Sequence, residues 1–246
     1  MWSRVIMILL VWLLSSPVWA GVASLENVIA ALETPFRTAA PTGIEDFQAE
    51  FFQLSRIASI DKQQHARGEV SFKFQRPEGG APVALFRWRY LEPTIQEFIS
   101  DGTILWVYQP ENRQVIESEI EQSNNPLAFL NRLGELSKDF NIGWGTPQIN
   151  ESGDYLLVLE PRRKTQLARS LQIVVNGAAV KDFLLHQQVG EVFPLRAVSV
   201  IDPNRNLSRF RFESVLMNQN LSSDSFHFQP PAGVEVLHPT PGQLGY

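Results

Sequence analysis

Apolar and polar residues alternate with a period of two through much of the first half of the chain. The apolar positions fall into three runs: Val70, Phe72 and Phe74; Ala84, Phe86, Trp88 and Tyr90; and Ile104, Trp106 and Tyr108. Side chains two residues apart lie on the same face of a strand, so each run predicts a strand with bulky apolar side chains on one face. Asp101-Gly102, just before the third run, is typical of a tight hairpin turn and predicts antiparallel pairing.

Three other segments show the spacing of a helix. The first segment follows Ser24 and contains Leu25, Val28, Ile29 and Leu32. The second follows Thr42-Gly43 and contains Phe47, Phe51, Phe52 and Leu54. The third follows Asn125-Pro126, contains Leu127, Phe129, Leu130 and Leu133, and runs to about Lys138. A polar cap, or a proline at the first helical position, is typical of a helix start. The sequence therefore predicts three helices, two of them near the beginning of the chain.

The second half of the chain predicts further strands, at residues 155–159, 171–175, 183–185, 195–201 and 207–215. Phe226 and Phe228 predict one more strand ahead of Pro230-Pro231. Successive strands joined by short turns favour an antiparallel meander that curls, with helices over one face or mouth. Because no linker or repeat interrupts the pattern, residues 21–246 are expected to form a single domain.

The first twenty residues have the pattern of a secretory signal peptide. Arg4 precedes an apolar run at residues 5–14, and Ser15-Ser16-Pro17 ends that run before a small-residue cleavage site at Ala20. A membrane-spanning helix needs about 20 apolar residues, so an uncleaved anchor is the less favoured alternative. We therefore expect export of the protein and cleavage after Ala20. The absence of cysteine excludes both disulfides and a lipid-modified N-terminal cysteine.

The charges and the polar residues argue against several functional classes. The net charge is −5, and it becomes −6 without the segment that contains Arg4, whereas nucleic-acid binding needs clustered basic residues. The four histidines are scattered, and no HExxH, GxSxG or Gly-rich phosphate-binding motif occurs. Glu117, Glu119 and Glu121 fit a solvated acidic face better than a catalytic carboxylate pair. The sequence therefore predicts no enzyme activity, no metal site and no nucleic-acid partner.

Four motifs carry a resemblance to a known family. They are GEVSFKFQRP at 68–77, FRWRY with the nearby Glu92-Pro93 at 86–93, SDGTILWVYQP at 100–110, and FHFQPPAGV at 226–234. Over about residues 44–234 the chain resembles the LolA family of periplasmic outer-membrane lipoprotein carriers. The resemblance implies an unclosed antiparallel β-barrel with an α-helical lid, which covers an apolar cavity for the acyl chains of lipoproteins.

The resemblance also implies a location and partners. Such a carrier works in the periplasm, takes its cargo from an ABC-type lipoprotein-releasing complex of the inner membrane, and passes it to a receptor lipoprotein of the outer membrane. It needs no cofactor, and we expect a monomer. A carrier or sensor for another lipid, such as a glycolipid, is the alternative, because the segments at 35–42 and 78–84 are longer than the family pattern.

Six residues form the candidate site. The residues expected to line the cavity are Phe72, Phe74, Phe86, Trp88 and Trp106. Wide aromatic rings can line a broad, incompletely filled cavity from which cargo can still leave, and core packing is the alternative for each residue. Phe86 also matches the family's cargo-handling aromatic position. Arg76 matches the arginine implicated in latching the lid of the empty carrier; a surface arginine at a strand end is the alternative.

Overall fold

The computed structural model describes residues 22–37, 43–77, 83–120, 128–163, 168–188 and 190–238. The predicted signal peptide, the start of the third predicted helix and most of the long turn at 78–84 lie outside these ranges. Within the described ranges, no helix is both long enough and apolar enough to cross a membrane.

Twelve strands of the described residues form one sheet. They are β1 (Asp46–Ile57), β2 (Lys62–Gln75), β3 (Val83–Glu92), β4 (Gln96–Ser100), β5 (Ile104–Gln109), β6 (Gln114–Glu119), β7 (Phe140–Ile149), β8 (Tyr155–Pro161), β9 (Ser170–Val175), β10 (Leu195–Ile201), β11 (Leu207–Met217) and β12 (Glu235–Leu237). The spatial order is β12-β6-β5-β4-β3-β2-β1-β11-β10-β9-β8-β7. Neighbouring strands pair antiparallel, except that β12 pairs with β6 in parallel. The edge strands β12 and β7 do not pair with each other, which confirms the predicted unclosed, mainly antiparallel sheet.

Three helical regions of the described chain pack against the inner face of this sheet. Helix α1 spans Leu25–Arg37; a 3₁₀ helix at Ala128–Glu135 continues into α2 (Leu136–Asp139); α3 spans Gly177–His186; and short 3₁₀ helices occupy Pro110–Asn112 and Ser223–Phe226. We call the 3₁₀ helix Ala128–Glu135 together with α2 the 128–139 segment, and α1 together with that segment the helical lid. Buried apolar side chains from α1, the 128–139 segment and α3 belong to one apolar cluster with the inner-face residues of the sheet. The sheet and the helices therefore share a single main core.

The predictions for α1 and for the first hairpin are confirmed. The Ser24 hydroxyl caps α1 by accepting a hydrogen bond from the Asn27 backbone N–H at 3.2 Å. Between β4 and β5, the Asp101 carboxylate accepts hydrogen bonds from two backbone N–H groups of the turn. Gly102 has a φ of 92°, a backbone conformation that glycine adopts without steric cost. The predicted strands that became β2, β3, β5, β8, β9, β10 and β11 are also confirmed.

The second predicted helix is wrong, because the segment around Phe47 forms β1. Phe47, Ala49 and Phe51 are all buried and lie on one face, whereas Phe52 faces the other side and is 37% exposed. This is the alternation of a strand, but the small Ala49 conceals it in the sequence. β1 pairs with β2 on one side and with β11 on the other, so tertiary pairing decides its conformation.

Two predicted strands are also wrong. Residues 183–185 belong to α3, in which Val180 and Phe183 form a buried i, i+3 pair and the Asn176 side chain caps the start by accepting from the Ala178 N–H at 3.1 Å. Phe226 ends a 3₁₀ helix, and the last strand of the described residues is β12, which begins at Glu235, nine residues after Phe226. The sequence predictions missed β7 and did not define β6 as a full strand.

Candidate functional site

Aromatic side chains from neighbouring strands cover the inner face of the sheet. Phe72 stacks on Phe47 with ring centroids 5.0 Å apart and lies 5.6 Å from Phe86. Trp88 lies 4.5 Å from Phe51. The four predicted residues Phe72, Phe74, Phe86 and Trp88 are each at most 6% exposed and belong to the main core. The structure therefore places four of the five predicted cavity residues on one apolar surface.

Trp106 lies on the opposite face of the sheet, which corrects the prediction that it lines the interior. The strand register places Val107 opposite Phe98, and Phe98 opposite Trp88, so Val107 shares the inner face with Trp88. Trp106, one residue earlier, points outward into a separate cluster with Phe228. Its indole N–H donates a hydrogen bond to the Glu117 carboxylate at 2.9 Å.

Phe36, near the end of α1, fills the space above the inner surface. Its ring makes edge-to-face contacts with Phe74 and Phe193, at centroid distances of 5.4 Å and 5.9 Å, and it is 1% exposed. The space left between Phe36, Phe74 and residues 131–135 is about 10 Å³, room for about one water molecule. The structure is therefore a closed form, in which aromatic rings and the helical lid occupy the interior at this point.

Sequence reasoning missed Phe36, although a signal was present. Phe36 follows Leu32 by four residues and so continues the apolar stripe of α1. The sequence interpretation instead placed Phe36 in the segment 35–42 between the first two predicted helices. In the structure Pro35 lies inside the helix and is itself buried.

Arg76 connects the end of β2 to the end of α1. Its guanidinium donates hydrogen bonds to the backbone carbonyls of Phe36 at 3.0 Å and Ile44 at 2.9 Å, with a longer contact to the Arg37 carbonyl at 3.4 Å. The last carbonyls of a helix have no partner within the helix, and a cation is favourable at that end of its dipole. Arg76 therefore supplies donors where α1 lacks them.

Burial lowers the pKa of the Arg76 guanidinium, and attraction to Glu45 partly offsets that effect. The hydrogen bonds of this partly buried cation to described residues go to backbone carbonyl groups. Its free energy thus depends strongly on keeping those carbonyls in place, because losing them would leave donors unsatisfied. The geometry makes Arg76 sensitive to any displacement of α1.

Among the residues that the structure describes, no group of three or more His, Asp or Glu side chains is arranged to hold a metal ion. Beside the aromatic inner surface, the Tyr90 hydroxyl donates a hydrogen bond to the Gln53 side chain at 2.8 Å. Burial raises the pKa of Tyr90 far above its ordinary value. A group that holds its proton so strongly stays neutral and suits an apolar wall.

The sequence matches known proteins over most of its length. The family model "Outer membrane lipoprotein carrier protein LolA" matches residues 42–229. The outer-membrane lipoprotein carrier protein of Hahella chejuensis is 27% identical over 201 residues, which cover 80% of this chain and 84% of that protein. The protein of the same description from Azotobacter vinelandii is 29% identical over 193 residues, covering 77% and 80%. A solved LolA superfamily structure from Nitrosomonas europaea superimposes with a TM-score of 0.41 at 12% identity, over 81% of this chain and 96% of that one.

Proposed function

Because the chain belongs to the LolA family of outer membrane lipoprotein carrier proteins, we propose that it binds the acyl chains of lipoproteins on the inner face of its sheet and carries them through the periplasm to the outer membrane. The observation that supports this most is the continuous aromatic surface beneath the helical lid. This surface includes Phe72, Phe74, Phe86 and Trp88 and contacts a lid residue, Phe36. A surface of this kind becomes available to lipid when the lid moves.

The closed form explains how such a carrier can release its cargo. Burial of an acyl chain of about sixteen carbons contributes about 12 kcal/mol, at about 0.8 kcal/mol for each methylene group. A preformed cavity would retain such a chain almost irreversibly. Here binding must first displace packed side chains such as Phe36, which is 1% exposed. The cost of opening the core offsets much of the gain, so the net affinity becomes moderate enough for transfer.

We propose that Arg76 is the latch of this lid. In the closed form it donates hydrogen bonds to the carbonyls of Phe36 and Arg37 in the last turn of α1 and to the carbonyl of Ile44, just ahead of β1. Outward movement of α1 breaks the hydrogen bonds to Phe36 and Arg37 together, which favours closure when the interior is free of lipid. The proposed partners follow from the same cycle: an ABC-type releasing complex of the inner membrane loads the carrier, and a receptor lipoprotein of the outer membrane unloads it.

The test is a release assay. The protein is expressed with its own N-terminal segment, purified, and incubated with spheroplasts of a Gram-negative bacterium, and the soluble complex is analysed by mass spectrometry. Triacylated lipoproteins in that complex, and their later transfer to outer membranes, are the expected result. A complex with free lipid alone would support a carrier of another lipid, and no release would contradict the carrier function.

A further inference from the structure

Glu33 is a buried carboxylate in the middle of the helical lid. It lies on α1, is 2% exposed, and accepts hydrogen bonds from the Ser137 backbone N–H and, at 3.0 Å, from the Ser137 hydroxyl. The Arg37 guanidinium, one helical turn later, also donates to it at 3.3 Å. Burial of a carboxylate is costly unless hydrogen bonds compensate for the lost water. Here the compensating groups belong partly to α1 and partly to the 128–139 segment.

The backbones of the two lid elements also approach each other closely. A Cβ atom added at Gly134 would lie 2.7 Å from the Arg37 Cγ, 3.2 Å from the Arg37 backbone nitrogen and 3.3 Å from the Phe36 carbonyl carbon. Because real Cβ contacts are not as short as 2.7 Å, a side chain at Gly134 would require the Arg37 side chain or the neighbouring backbone to shift. The close approach and the Glu33 hydrogen bonds lie at the same end of α1 and hold the same two elements.

The contacts of Glu33 connect with those of Arg76. The Arg37 side chain donates to Glu33, and its backbone carbonyl lies at 3.4 Å from Arg76. A series of polar contacts thus runs from β2 through the last turn of α1 to Ser137 in α2. We infer that Glu33 is a positioning residue that joins α1 and the 128–139 segment into one moving unit, so that release of Arg76 frees both elements together.

This inference rests on the proposed function for its biological meaning, since a lid matters only if the interior receives a ligand. Its physical content is independent of cargo: it states that two elements open in one step. If Glu33 only contributed to overall stability, its loss would affect all parts of the protein alike. If it couples the two elements, its loss changes how the 128–139 segment responds to a change at Arg76.

The test measures hydrogen exchange in the lipid-free protein, in peptides from α1 and from the 128–139 segment. Four proteins are compared: wild type, Arg76→Leu, Glu33→Gln and the double variant. Local opening governs the exchange of amides whose protection does not depend on global unfolding. We expect Arg76→Leu alone to accelerate exchange about tenfold in both elements, the factor expected when hydrogen bonds to a charged group are lost.

In the Glu33→Gln background, Arg76→Leu should still accelerate exchange about tenfold in α1 but less than about twofold in the 128–139 segment. Equal acceleration of that segment in both backgrounds would overturn the inference. So would an acceleration restricted to α1 when Glu33 is intact. Because no lipid is used, neither result depends on whether the protein carries lipoproteins, and the release assay is judged separately.

Two further variants serve as controls. Glu26→Gln changes an exposed carboxylate on the first turn of the same helix, and the response of the 128–139 segment to Arg76→Leu should remain as in wild type. Ser137→Ala removes only the hydroxyl donor and keeps the backbone donor, so it should weaken the coupling partially. It replaces Glu33→Gln in the test where that variant does not fold. Where Glu33→Gln does not fold, unchanged coupling in Ser137→Ala refutes the role. Exchange in β9 peptides reports whether the sheet remains intact.

Discussion

Truncation of Phe36 to alanine should make the protein less stable but better at binding an acyl chain. The ring is 1% exposed and contacts Phe74 and Phe193, so its removal should cost about 3 kcal/mol, at the low end for a buried phenylalanine. For a chain of this size, the midpoint of thermal unfolding should fall by about 6–12 °C. Because the ring belongs to the lid, much of this lost free energy destabilises the closed form and not the open form.

The expected gain in acyl-chain affinity follows from this difference between the closed and the open form. If half of the destabilisation of about 3 kcal/mol affects only the closed form, the free energy of opening the lid falls by about 1.5 kcal/mol. The apparent affinity for an acyl chain then rises about tenfold. The assay is a fluorescence titration of delipidated protein with a fluorescent fatty acid, beside thermal unfolding of the same samples. The vacated volume beneath α1 also offers room for the chain.

The matched control is Phe226→Ala. Phe226 is 0% exposed but lies in the 3₁₀ helix Ser223–Phe226, outside the lid. It should destabilise the protein by a similar amount without strengthening acyl binding. The reasoning is refuted if Phe36→Ala binds the fatty acid no more tightly than wild type, or if both variants gain affinity equally, since then general loosening and not the lid would control access.

Three other changes test separate parts of the structure. Arg76→Leu removes the latch donors and should leave the circular dichroism spectrum unchanged while lowering the rate of lipoprotein transfer to outer membranes at least about tenfold; an unchanged rate contradicts the latch. Phe86→Glu places a carboxylate on the apolar inner face and should abolish fatty-acid binding, and equal uptake would remove Phe86 from the cavity. Hydrogen bonds from Lys138 and Arg132 lower the pKa of Glu135 below 4.5, so its stabilising contribution is present above that pH and is lost as the pH falls through the lowered value. The difference in unfolding free energy between wild type and Glu135→Gln should therefore shrink on going from about pH 7 to about pH 3, and a difference independent of pH would contradict this assignment.

The parts of the fold that were predictable are those in which local chemistry and tertiary position agree. In β2, large rings alternate with polar side chains, and only the rings fit the core. In β1 the small Ala49 occupies a core position, so the pattern lost its period and Phe52, which faces outward, suggested a helical cluster. Tertiary pairing with two neighbouring strands decided the outcome, and no local pattern encodes it.

The candidate site was also only partly predictable from local sequence. Around Trp106 the chain reads ILWVY, with apolar residues on both faces of the strand, so alternation alone cannot say which face is inner. The register with Phe98 and Trp88 resolves this, and it depends on three strands together. The contact between Glu33 and Ser137 spans 104 positions, and nothing in the local sequence distinguishes Glu33 from a solvated glutamate of an amphipathic helix.

The parallel pairing of β12 with β6 has a consequence for the order in which the protein can fold. Residues 235–237 lie beside residues 114–116, and Phe228 packs over Trp106 on the outer face. Chains are synthesised from the N-terminus, so this outer cluster stays uncovered until the last part of the described chain has emerged. Pairings over such long sequence separations also form slowly. A nascent chain therefore leaves Trp106 without the cover of Phe228 for most of its synthesis.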